Sequence, residues 1–180
     1  AKLVDQSEFV IAPNPGADRL TRRVSGRDEN GHETALNVVE ERPLTIYLNR
    51  QEIVTAMTIG DYPEYLALGF LANQGMLGAA DEITGIDYDE EVECVVVRTT
   101  GQTDFAEKLK KKTRTSGCAV GTVFGDMMEG LEGVTLPATP VHTSWLYALS
   151  NKINRTPSLY LEAGAIHGTV LCQGDRPLVY

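Results

Sequence analysis

"VVEERPLTIYLNRQEIVTAMTIGDYPEYLALGFLANQGML", residues 38–77, passes from strand chemistry to helix chemistry within one stretch. ALNVVEE and PLTIYLN are rich in strand-forming residues and are broken by Pro43. YLNRQEIVTAMT reads as a hairpin with Asn49 and Arg50 at its turn, because asparagine tolerates the left-handed backbone such turns require. DYPEYLALGFLANQG then reads as the clearest helix of the chain. Asp61 is a good N-cap, Pro63 suits a first turn where its missing N–H is harmless, and Gly75 is placed to end the helix. Leu66, Phe70 and Asn73 fall on one side of it, with Tyr65, Leu68 and Ala72 at the edge of that side.

Working outward, LTRRVSGR (residues 20–27) alternates loosely as a strand, and residues 1–18, with two prolines and a glycine in APNPGAD, read as a flexible leader. EITGIDY and VECVVVRTT read as strands. The second is nearly all apolar from Val92 to Val97, which predicts a central strand with Cys94 in the core. DFAEKLKKK reads as a short helix, with Asp104 as cap and lysines at the end the macrodipole favours. A cysteine-bearing loop comes next, and TVFGDMMEGLEG is weakly helical. HTSWLYALSNKIN is amphipathic, with Trp145, Leu146, Leu149 and Ile153 on one stripe and Thr143 or Ser144 as cap. GTVLCQGDRPLVY reads as two strands joined at Gly174 and Asp175, with Cys172 on the first. The chain stops at Tyr180 in mid-strand, which reads as a C-terminal truncation.

This order of elements predicts an α/β or α+β fold. Its portions are the leader at 1–18, a β-rich portion with one helix at 19–100, and the cysteine loop with the later helices and strands at 101–180, the last two being compatible with one domain.

Composition excludes several functions. The formal net charge of −9 argues against nucleic acid as a main partner, since duplex binding draws its affinity from a broad basic surface. No run of about 18 apolar residues predicts a transmembrane helix, and the N-terminus has no apolar signal core. The expectation is a cytoplasmic protein that does not enter a membrane. The three cysteines, Cys94, Cys118 and Cys172, have no paired spacing, which fits reduced thiols better than a disulfide framework. His32, His142 and His167 are scattered, with no C-x-x-C, H-x-x-H or H-x-E, so no metal site is expected. His142, just before a helix, reads as part of its cap.

One stretch carries chemistry. In KKKTRTSGCAVGTVFG (residues 110–125), Cys118 stands alone between glycines, after Lys108, Lys110, Lys111, Lys112 and Arg114. Nearby cations lower a thiol's pKa, and the thiolate is the reactive form. Glycines let the backbone turn and offer consecutive N–H groups to an anion. Those are the demands of a nucleophilic or sulfur-carrying cysteine. The competing reading is an inert small residue in a tight turn, with the lysines a solvated face, and the Gly-x-x-x-Gly spacing alone does not separate the two.

The residues carry a resemblance. Glu41-Arg42-Pro43-Leu44, Asn49, Met57-Thr58 and Leu66 through Gly75 resemble the E-x-P-L strand, N-G turn, Met-Thr strand end and L-x-x-G-F-L-x-x-E-G helix of the formate dehydrogenase accessory sulfurtransferase family, FdhD. RTSGCAVG resembles its cysteine loop, and EAGAIHGTVL its T-G-G-x-H-A-A segment. Departures are Arg50 for the turn glycine, Gln74 for the helix glutamate, Ala165 for the second glycine and Gly121 for the second cysteine of a C-x-x-C loop. The family continues past the position of Tyr180 with further cofactor-contacting residues.

The resemblance implies a cytidine deaminase-like mixed sheet flanked by helices, without the catalytic zinc. It implies a sulfurtransferase in which Cys118 takes sulfane sulfur from a cysteine desulfurase as a persulfide. The sulfur then passes to the molybdenum cofactor, in its bis-molybdopterin guanine dinucleotide form, of formate dehydrogenase. Gly117, Gly121, Arg114, Lys112 and His167 are the implied cofactor contacts, the guanine nucleotide moiety among their targets, with Lys111 also lowering the thiol's pKa. A homodimer is compatible with this. Gly121 narrows the chemistry to a relay that one sulfur can perform. The rival reading is a non-enzymatic chaperone that holds the cofactor or the apo-formate dehydrogenase, with Cys118 incidental.

Overall fold

The computed structural model describes residues 9–17, 19–78, 80–101, 112–114, 122–124 and 133–180. They form an α+β chain that divides into two compact units. One comprises residues 41–136, and the other joins residues 1–40 to residues 137–180.

The unit of residues 41–136 is built on a mixed four-stranded sheet. Its strands are β3 (Arg42–Leu48), β4 (Gln51–Thr58), β5 (Ile83–Asp89) and β6 (Cys94–Thr99), in the order β4-β3-β6-β5. The hairpin is as predicted: β3 and β4 pair antiparallel from Arg42–Thr58 to Leu48–Gln51, around Asn49 and Arg50. Asn49 takes φ 55°, the left-handed backbone its side chain tolerates. β6 runs parallel to β3 and antiparallel to β5, so it is the central strand the apolar run predicted. A parallel pair needs a long crossover, which the chain makes through β4, helix α1 (Pro63–Asn73) and β5.

Period-two alternation fills the core. Leu44, Ile46 and Leu48 of β3 and Val95 and Val97 of β6 are buried on one face with Ala67, Leu71 and Met76. A register shift after Ile46 inserts Ile53 into β4, and both Ile53 and Val54 are buried. Cys94 is not among these residues: it shares the opposite face with Thr45, Tyr47 and Val96 and is half-buried, which corrects its reading as core. Pro43 does not break a strand but stands second in β3. It can do so because pairing with β6 begins only at Thr45, so no ladder bond is lost on that side.

Helix α1 starts at Pro63 and closes at Gly75 as predicted, with Gly75 at φ 63° and Met76 N–H donating to Leu71 O at 2.9 Å. Two of its details differ. Tyr62, at φ 47°, is the N-cap rather than Asp61, and no side chain caps the helix. The buried side is Pro63, Ala67 and Leu71, while Leu66 and Tyr65 are exposed. The sequence LALGFLA is apolar nearly all round, so its spacing could not choose the buried face.

In the same unit β7 (Lys112–Arg114) and β8 (Thr122–Phe124) pair antiparallel. Lys112 and Thr122–Phe124 are therefore strand residues, where the sequence predicted helix. Apart from Gly133, which stands in a turn, the rest of those two predicted helices lies outside the described residues.

In the other unit, β1 (Thr21–Arg27) and β2 (Glu33–Val39) form a regular antiparallel ribbon. Its turn is built by Asp28, whose Oδ1 accepts the N–H groups of Asn30 at 2.9 Å and His32 at 2.8 Å. Helices α2 (Thr143–Ile153) and α3 (Leu159–Ala163) and the hairpin of β9 (Leu171–Gln173) and β10 (Arg176–Val179) complete it. Residues read as leader take part: Val10 N–H donates to Leu178 O at 2.7 Å, and Ile11 bridges Val179. His142, not Thr143 or Ser144, is the N-cap of α2, without a side-chain cap bond. Its ring meets Trp145 edge-on at 4.6 Å. Leu146 is exposed, which removes it from the predicted stripe. Only Leu20 and Leu159 are deeply buried among this unit's described large hydrophobic residues, apart from Pro177.

Candidate functional site

The β7–β8 ladder brackets the chemistry-bearing stretch. Lys112 pairs with Phe124, Thr113 with Val123 and Arg114 with Thr122. Residues 115–121, which include Gly117, Cys118 and Gly121, lie between these strands in the chain and outside the described residues; Lys111, which precedes β7, is outside them too. The ladder puts Arg114, four positions before Cys118, beside Thr122, four positions after it.

The other predicted site residue, His167, belongs to the unit of residues 1–40 and 137–180, and Lys112 and Arg114 belong to that of 41–136. His167 is exposed on the segment after α3. Gly164 has φ 64° and ψ −168°, and Ala165 has φ 53°, a left-handed backbone that an alanine rarely adopts. At Gly168 a Cβ would stand 2.9 Å from the Tyr180 ring, so any larger residue there requires the ring to shift. Phe9 stacks with the same ring, its centroid 6.4 Å from that of Tyr180.

Of the two described cysteines, Cys94 is held toward the thiol. Burial pushes the Cys94 thiol up, and the carboxylates of Asp89 and Glu52 push it further the same way. Its sulfur is therefore kept from the nucleophilic form. Cys172 is half-buried, and its S–H donates to Val170 O at 3.6 Å. Among the described residues no group of three or more His, Cys, Asp or Glu side chains could hold a metal ion, and no helix is long and apolar enough to cross a membrane.

Sequence reading found the turn at Asn49 but not its second task. Asn49 Oδ1 accepts Thr99 N–H at 2.8 Å, Nδ2 donates to Thr99 Oγ1 at 3.2 Å and to Gly101 O at 3.3 Å, and its own N–H donates to Val97 O at 2.8 Å. The end of β6 is thus tied to the β3–β4 turn, immediately before the chain leaves for the basic stretch. A network at the opposite end of the sheet was also missed. Tyr88 Oη donates to Glu93 Oε2 at 2.9 Å, Arg42 Nη1 lies 3.6 Å from Glu93 Oε1, and Glu93 O accepts Thr45 N–H at 2.9 Å. Nothing in the spacing of these residues signals the pairing; only the strand register makes them neighbours.

Comparison with known proteins adds to this geometry. A family model described as the FdhD/NarQ family matches residues 39–180. Sulfur carrier protein FdhD of Bacillus pumilus is 26% identical over 141 residues, which are 77% of this chain and 54% of that protein. The protein of the same name from Listeria monocytogenes is 25% identical over 147 residues, 78% of this chain and 55% of that one. The chain therefore spans about half the length of these curated relatives. A crystal structure assigned as a formate dehydrogenase accessory protein from Desulfotalea psychrophila superposes with a TM-score of 0.61 at 19% identity, covering 87% of this chain and 58% of that one, and so shares the fold.

Proposed function

This chain belongs to the FdhD/NarQ family, and from that membership we propose that it is a sulfurtransferase whose carrier is Cys118. The observation that carries the reading is the family match over residues 39–180, which takes in the hairpin, the helix and the whole cysteine stretch. The relatives named as sulfur carriers support it. So does the electrostatic contrast among the cysteines: Cys94 is pushed toward the thiol, whereas Cys118 comes after five cations within residues 108–114.

In the proposed step the Cys118 thiolate attacks the outer sulfur of a cysteine desulfurase persulfide. A new S–S bond forms at Cys118 as the donor's S–S bond breaks. The donor leaves as a thiolate, and the sulfane sulfur keeps its oxidation level. The terminal sulfur then passes to the molybdenum cofactor, a substrate here, destined for formate dehydrogenase in the cytoplasm. A bond from that sulfur to the cofactor forms, the Cys118 S–S bond breaks, and Cys118 leaves as a thiolate. The cofactor, taken in its reduced form, supplies the two electrons that bring the sulfur to sulfide. Lys111, Lys112 and Arg114 favour the thiolate and attract the cofactor's phosphates, Gly117 and Gly121 supply backbone N–H groups, and His167 adds a further contact. Gly121 in place of a second cysteine confines the relay to one sulfur. The cytidine deaminase-like arrangement of the sheet is part of the same reading.

The test uses the full-length protein, a desulfurase and labelled cysteine. Wild type, Cys94→Ser and Cys172→Ser are expected to acquire label as an adduct of about 32 Da, trapped at a thiolate, and Cys118→Ala is expected to acquire none. Normal loading of Cys118→Ala would overturn the carrier role. Full formate dehydrogenase activity in cells carrying Cys118→Ser would favour a cofactor-binding chaperone instead.

A further inference from the structure

We propose that the free edge of β1 is a docking edge that takes an extended acidic segment of a partner protein as a third strand. The inference is independent of the sulfur-carrier reading. β1 pairs only with β2, so among the described residues its other edge has no strand partner. The ladder runs from Thr21–Val39 to Arg27–Glu33 without a register shift, and β1 contains no proline. It therefore lacks the bulge or proline that commonly blunts an edge. Arg22, Arg23, Ser25, Gly26 and Arg27 are all exposed.

Charge decides the occupant. β1 carries three arginines and no acid, in a chain whose net charge is −9. Arg27 donates to Gly31 O at 3.4 Å, whereas Arg22 and Arg23 make neither hydrogen bonds nor ion pairs through their side chains among the described residues. A second copy of β1 would set arginines against arginines with nothing to offset them, so self-pairing is disfavoured. An acidic strand gains both the ladder and the cations.

The two faces of the ribbon differ, which sets the pattern of the guest. Arg23 and Arg27 share one face, while the other carries Arg22 and, two residues on, Val24 directly opposite Leu36, which is 60% exposed. The edge thus suits a segment with acids along one side and, on the other, apolar residues beside Val24 and an acid facing Arg22.

The experiment tracks amide hydrogen exchange of Thr21–Arg27 by NMR in the full-length protein. The probes are an eight-residue peptide of alternating glutamate and valine and its lysine-for-glutamate counterpart. Alternate β1 amides are expected to exchange fast in the free protein. The acidic peptide should slow them at least about fivefold at low salt and much less near 0.5 M salt, as screening of exposed pairs requires. The lysine peptide should do neither, and R22E/R23E should abolish the effect of the acidic peptide. The proposal is overturned if both peptides act alike, if neither slows exchange, or if R22E/R23E still responds. It also fails if every β1 amide is already slow in the free protein, because the edge is then occupied by the protein itself. Equal protection by single-stranded DNA would mark an anion site rather than a strand edge, and would overturn it too.

Discussion

Two residues hold backbone or charge in states the fold makes costly. Ala165 sits at φ 53°, where an L side chain costs about 1–2 kcal/mol that glycine avoids. Part of that gain is lost because glycine makes the unfolded chain freer. Ala165→Gly should therefore stabilise the protein by about 0.5–1 kcal/mol in urea unfolding; a loss of stability would mean that the methyl group packs usefully. Asp61 presents the second case. Burial raises its carboxyl pKa, only partly opposed by the hydrogen bond from Tyr62 N–H. A raised carboxyl pKa means that the fold disfavours the ion. Stability is then highest below the unfolded value of about 3.9 and falls as pH rises through the folded value. Asp61→Asn should stabilise at neutral pH, by less than about 1 kcal/mol because solvent screens a half-exposed carboxylate. The gain should vanish in acid. Equal gains at both pH values, read by thermal melts, would show that charge is not the cause. Residue by residue, the sequence was legible where backbone chemistry dominates, as at Asn49, Pro63, Gly75 and Gly174. It was silent where the partner comes from another strand, as in the Asn49–Thr99 and Glu93–Tyr88 bonds.

At the scale of elements, period two proved more informative than period 3.6. β3 and β6 show their buried faces in the alternation of Leu44, Ile46, Leu48 and of Val95, Val97. Helix α1 has apolar residues on every side, so only packing against the sheet selects Pro63, Ala67 and Leu71. The selection has a measurable consequence. Leu71→Ala should cost about 2–5 kcal/mol, as core truncations do. Leu66→Ala, on the exposed side, should stay within about 0.5 kcal/mol of wild type. Comparable losses at both positions in chemical denaturation would put the helix in a different rotation. The short strands β7 and β8 escaped sequence reading for a related reason. A lysine-rich run has helix propensity, and only the cross-strand pairing of Lys112 with Phe124 makes it a strand.

For the whole molecule, the α+β class and the central place of β6 were legible, because a continuous apolar run of strand length has few other homes. The division of the chain was not. Compactness groups residues 1–40 with 137–180 in one unit and residues 41–136 in another. Contacts between distant segments, such as Asn37 Nδ2 donating to Glu162 Oε1 at 3.2 Å, leave no local mark in composition. Deep burial is also uneven. Among the described residues, apart from Leu20 and Leu159, every buried hydrophobic residue of the core belongs to the unit of 41–136.

That arrangement imposes an order on synthesis. On the ribosome the middle of the chain is complete before its beginning can find the residues it packs with, since domains fold as units while they emerge. The β3–β6 sheet should form while residues 1–40 are still waiting for 137–180. Trypsin applied to ribosome-bound chains stalled between those two events should cut at Arg22 and Arg23 and spare Arg98. Protection of all three at that length, or of none, would refute the sequence of events. The nascent protein would thus finish the half that bears its proposed carrier cysteine while its N-terminal arm remains open to proteases and chaperones.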